Sequence, residues 1–122
     1  MTRFKLDVRV EILGSEWRAR ISTEEEDPRL KDCDGYTDKT THEIGVQDMP
    51  EHCSLGNPLA YIKKVIRHEV IHAFLFESGL TENWEHKEIG HEETTVDWMA
   101  VQLPKIQKVL DKIDREIEPQ SV

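Results

Sequence analysis

At 122 residues, with 37% hydrophobic and 34% charged side chains, the chain has the length of a single domain (residues 1–122) and apolar content for one modest core. Sixteen Lys and Arg against 25 Asp and Glu leave a formal net charge of -9, which disfavours nucleic acid as a partner because phosphate binding rests on Lys and Arg. No apolar run approaches the roughly 18 to 20 residues that span a bilayer, and Met1 to Val10 alternates charge with hydrophobe where a signal peptide would be apolar, so the expectation is a cytoplasmic protein with no membrane partner.

In chain order, Phe4, Leu6, Val8, Val10 and Ile12 alternate with charged residues, the period-two pattern of a half-buried strand. Gly14-Ser15 reads as a turn, and Trp17, Ala19 and Ile21 continue the alternation as the second arm of a β-hairpin. The acidic stretch Glu24 to Asp27, Pro28 and the segment through Gly35 read as a solvated loop. A third strand is predicted over about Thr40 to Val46. Asn57-Pro58 supplies an N-cap and a first helical residue, Leu59, Ile62, Ile66, Val70 and Ala73 recur at helical spacing, and Gly79 ends that helix. A second helical stripe runs through Val96, Met99, Ala100, Leu103, Ile106, Leu110, Ile113 and Ile117, with Pro104 expected to kink or split it. The sum is an α+β fold, a small, mainly antiparallel sheet against two helices. Cys33 and Cys53, far apart in sequence, read as free thiols.

The chemistry concentrates in Arg67-His68-Glu69-Val70-Ile71-His72, an HExxH string inside the first helix. Residues i and i+4 lie about 40° apart around a helix, so both imidazoles point to one side and can share a metal ion. Zinc takes neutral imidazole at tetrahedral positions, and a catalytic site keeps one position for water while protein fills three. Glu69, next to the first histidine, is placed to take a proton from that water as it attacks a carbonyl.

The string HEVIHAFLFESGL followed by EETTVDWMAVQLP resembles the zincin metallopeptidases, specifically ImmA/IrrE-like and phage-borne minimal zincins, over about Asn57 to Pro104. The resemblance implies a minimal zincin-like fold, with the sheet packed on an HExxH active-site helix and a C-terminal helix. It also implies zinc-dependent hydrolysis of peptide bonds in a protein or peptide substrate, with zinc-bound water activated by Glu69. A glutamate on the following helix completes the zinc site in that family, and Glu93, with Asp97, Trp98 and Ala100 after it, matches the pattern. The segment from Ala100 to Pro104 is shorter than the family's usual run to its proline. Leu75 and Ser78 stand where a metzincin would carry Gly and His. The resemblance further implies that an extended substrate adds along a sheet edge near Glu43 to Val46.

Three residues compete for the third ligand, His91, Glu92 and Glu93. If Val96, Met99, Ala100 and Leu103 form the buried stripe, His91 falls roughly 130° from its centre while the two glutamates flank it. Asp97, four residues after Glu93, is placed to accept a ring N–H from His68 or His72, which favours Glu93. His42, His52 and His86 read as surface histidines, Trp84 and Trp98 as core aromatics, and Tyr36 or His42 as minor candidates for oxyanion support. Two rivals stay open. One is a non-hydrolytic, zinc-stabilised regulatory or interaction protein, which would have no need of Glu69; the other is an SprT-like DNA-associated protease with His91 as ligand, which the net charge disfavours.

Overall fold

The alternation between Phe4 and Ile12 produces the first strand, β1 (Thr2–Ile12), and its continuation produces β2 (Ser15–Ser22), paired antiparallel with Val8 opposite Ala19 and Val10 opposite Trp17. The computed structural model describes residues 2–48, 56–81 and 93–121; the side chains of residues 2, 93, 94, 96, 97, 100, 120 and 121 also lie outside the described set. Ile12 pairs with Ser15, so the turn residues are Leu13-Gly14 and not Gly14-Ser15. Both have positive φ, 49° and 91°, the pair of left-handed conformations that a tight hairpin turn requires.

A single turn of 3-10 helix (Pro28–Leu30) follows, capped by the Asp27 carboxylate accepting from the Arg29 N–H. The segment read as loop then yields an additional strand, β3 (Gly35–Asp38), and the predicted third strand is β4 (Glu43–Gln47), starting three residues after Thr40. A short C-terminal strand, β5 (Glu118–Ser121), pairs antiparallel with β1. The five-stranded sheet has the order β3-β4-β2-β1-β5 and is antiparallel throughout except where β2 meets β4. Among the described residues the edges are β3 and β5, and the expectation of an edge at Glu43 to Val46 is corrected: those residues sit between β2 and β3.

Among the described residues the two α-helices are α1 (Pro58–Glu77) and α2 (Glu93–Glu116). The first lies over β3 and β4, the second over β1, and the two also touch each other. Ile62, Ile66, Val70 and Phe74 of α1 and Ile106, Leu110 and Ile113 of α2 meet Leu6, Val10, Trp17 and Ile44 of the sheet in one hydrophobic core. This confirms the α+β reading, with one correction to the second stripe. Leu103 is 53% exposed, and Val109 takes its place among the buried residues. Pro104 does not split α2, which runs unbroken through it; the proline is itself exposed, so its missing donor lies on a side that water reaches. Among the described residues, no helix is long and apolar enough to cross a membrane.

Candidate metal centre

Helix α1 starts and stops as its sequence dictates. The Asn57 side chain accepts from the Ala60 N–H at 3.1 Å, Pro58 occupies the first turn, and beyond Ser78, whose N–H reaches the Phe74 carbonyl at 2.9 Å, Gly79 turns left-handed at φ 79°. Its buried stripe fixes the rotation of the helix and so decides where the HExxH side chains go. His68 and His72 face outward, whereas Glu69 faces inward, 8% exposed.

The two imidazoles converge, with Nε2 of His68 and Nε2 of His72 3.2 Å apart. Two nitrogens bound to one tetrahedral zinc at about 2.0–2.1 Å stand about 3.3 Å apart, so the donor pair fits the ion without rearrangement. A neutral ring pair at this distance can also share one hydrogen bond, with donor and acceptor set by the tautomers. One carboxylate oxygen of Glu69 lies with the two imidazole nitrogens in a group whose atoms are all within 4.8 Å of one another. Donor chemistry and spacing therefore suit a divalent cation that accepts nitrogen and oxygen.

The edge strand bounds the other side of Glu69. Thr37 of β3 places its hydroxyl oxygen 2.9 Å from Glu69 Oε1 and 2.9 Å from the Glu69 main-chain oxygen. At Gly35 a Cβ would come within 2.7 Å of Val65 Cγ1 and 3.3 Å of Glu69 Cγ, so only glycine lets β3 lie this close to the helix. Phe76, one turn beyond His72, stacks on its ring at 6.3 Å, and Lys39 holds its ammonium 5.3 Å from the Phe76 ring centre. Phe76 was visible in the sequence as i+4 from the second histidine. Nothing in the sequence marked Gly35, Thr37 or Lys39.

The remaining sequence candidates separate clearly. Tyr36 alternates with Gly35 and Thr37, and its hydroxyl donates to Asp27 Oδ2 at 2.5 Å while Arg29 lies over its ring at 4.5 Å. Burial, reinforced by the Asp27 carboxylate, pushes the phenol well above its ordinary value. Its hydroxyl proton is therefore engaged by Asp27. His42 stacks on Trp17 at 4.8 Å with Nε2 3.5 Å from Glu77 Oε1, so it is neither a plain surface histidine nor part of the metal site. Trp98 packs against the core as expected and donates from Nε1 to Ser78 Oγ at 2.9 Å, tying α2 to the end of α1. Cys33 is a free thiol; burial, then the Glu69 and Asp34 carboxylates, pushes its pKa up and away from the reactive thiolate.

Glu93 opens α2 and Asp97 lies one turn further on, their side chains outside the described set. His91, Glu92, His52, His86, Trp84 and Cys53 are outside the described residues altogether. With Leu103 exposed, the stripe used to rank the third ligand no longer supports that ranking, and the choice of Glu93 rests on the Glu-x-x-x-Asp pattern. The chain matches no protein-family model, no curated protein and no solved structure.

Proposed function

We propose that the protein is a zinc-dependent peptidase with a zincin-like arrangement of edge strand, HExxH helix and following helix. The observation that carries this reading is the 3.2 Å approach of the two exposed imidazole nitrogens beside an inward-facing glutamate on the same two turns. His68 and His72 would hold the metal from α1, and Glu93 would complete the set from the start of α2. Asp97 would accept the outer ring N–H of one histidine and fix its tautomer. Zinc, when bound, polarises the scissile carbonyl and acidifies the attacking water. Glu69 takes a proton from that water and returns one to the departing amine.

Among the described residues β3 ends the sheet on the side of α1, which supports a substrate site there. The Gln47 N–H donates to the Asp34 carbonyl at 2.8 Å, and Gly35 stands opposite Val46, so Tyr36 and Asp38 occupy the hydrogen-bonded pairs with β4. Gly35 and Thr37 then turn their own N–H and C=O groups to the outer edge, beside Glu69, where an extended peptide can add as a further strand. A cytoplasmic enzyme acting on a protein or peptide, with no role for nucleic acid, is the setting we assign. The reading is tested by whether metal and hydrolysis separate in Glu69→Gln: zinc retained and cleavage lost is expected. Zinc bound by a parent that cleaves nothing would point instead to a metal-stabilised interaction module.

A further inference from the structure

We infer that Thr37, on the edge strand, is the positioning residue for the general base, holding one oxygen of Glu69 so that the other is presented to water; this rests on the peptidase reading above. A glutamate side chain has three rotatable bonds, and a base works only if its carboxylate stays within hydrogen-bond reach of the proton it takes. Glu69 is restrained from two sides by β3. Gly35, lacking a Cβ, lets the strand close onto the side-chain methylenes, where an added Cβ would stand 3.3 Å from Cγ. Two residues on, the Thr37 hydroxyl meets Oε1 at 2.9 Å. With Oε1 engaged by Thr37, Oε2 is the oxygen we assign to the water.

The hydroxyl also has a second acceptor, the Glu69 main-chain oxygen at the same 2.9 Å. A threonine carries one hydroxyl proton and two lone pairs. That proton can serve Oε1 or the carbonyl, and both acceptors belong to Glu69. The hydroxyl thus ties the Glu69 carboxyl group to the main chain of the same residue and keeps it in place.

The test uses the full-length, zinc-loaded protein and a peptide library, comparing Thr37→Val, Thr37→Ser and Glu69→Gln. Val matches Thr in shape and suits a strand, so the backbone should hold. Thr37→Val should bind zinc like the parent in a chelator competition, leave KM unchanged and lower kcat by about 10- to 100-fold, the range found when a partner orienting a site group is removed. Thr37→Ser should restore most of it. A readout independent of turnover is the carbon-13 resonance of the Glu69 side-chain carboxyl, assigned by its disappearance in Glu69→Gln; it should move in Thr37→Val and return in Thr37→Ser. Parent-like kcat or an unmoved resonance in Thr37→Val would overturn the inference, as would zinc loss or failure of the serine to rescue. Unchanged cleavage by Glu69→Gln, or none by the parent, would instead overturn the peptidase reading, and the resonance would still decide what Thr37 does.

Discussion

Two turns of α1 send a carboxylate inward and two imidazoles outward, and each residue's role follows from that division. His68→Ala or His72→Ala should abolish stoichiometric zinc binding, because removing one imidazole leaves too few protein donors for a stable site. X-ray absorption on the zinc-loaded parent should show two imidazoles with oxygen completing the shell. Sulfur in the shell would place the metal at Cys33 or Cys53. The HExxH group was legible because its geometry is local: five residues on one helix settle the direction of both rings. Thr37 was not, since 32 residues separate it from Glu69 and only the pairing of β3 with β4 brings them together.

Among the elements, β1 and β2 were legible because each buries one face, and alternation is the mark of that. The edge strand β3 escaped notice because its residues, Gly-Tyr-Thr-Asp, show no such alternation: Gly35 and Thr37 meet the helix with small side chains. Strand β5 contains Pro119 and no large hydrophobe, as an edge position allows. The joint between β3 and β4 depends on Gly45, where a Cβ would overlap the Tyr36 ring, itself held by Asp27 and Arg29. Gly45→Ala should therefore cost about 1–3 kcal/mol, read as a lower thermal midpoint. An unchanged midpoint would mean that the ring moves aside freely.

The same joint sets a pH dependence. Burial alone would raise the Asp27 carboxyl, but the Tyr36 hydroxyl and the Arg29 guanidinium and backbone N–H outweigh it and hold the group below its ordinary value. A carboxylate depressed in the folded state contributes stability above its unfolded pKa of about 3.9 and loses it as pH falls through the lower folded value. Asp27→Asn should thus be less stable than the parent near neutrality, with the gap closing in acid below about pH 4. Denaturant melts across that range measure it, and parallel curves for the two proteins would contradict the assignment. Tyr36, raised in the fold, works oppositely: its contribution is complete below about pH 10 and declines as pH climbs through its folded value.

For the whole molecule, composition and pattern established α+β and two helices, while strand order came only from pairings across long sequence separations, such as Thr2 with Ser121 and Ala19 with Ile44. The exposed Leu103 shows the limit of a periodic stripe: it keeps the apolar spacing yet faces water, while Ile106 and Val109 on the same helix are buried. If α1 holds zinc, the metal should stabilise the fold as any ligand of the native state does. Free zinc at 100 times its dissociation constant should add about 2.7 kcal/mol and raise the thermal midpoint, an effect absent in His68→Ala.

The most direct test of the account is a mass-spectrometric digest of a peptide library by zinc-loaded parent and by Glu69→Gln at matched zinc content. A general base is worth about 10²- to 10⁴-fold, so the parent should cleave and the variant should be slower by that factor while keeping its metal. Equal cleavage by the two proteins, or none by a fully zinc-loaded parent, would contradict it.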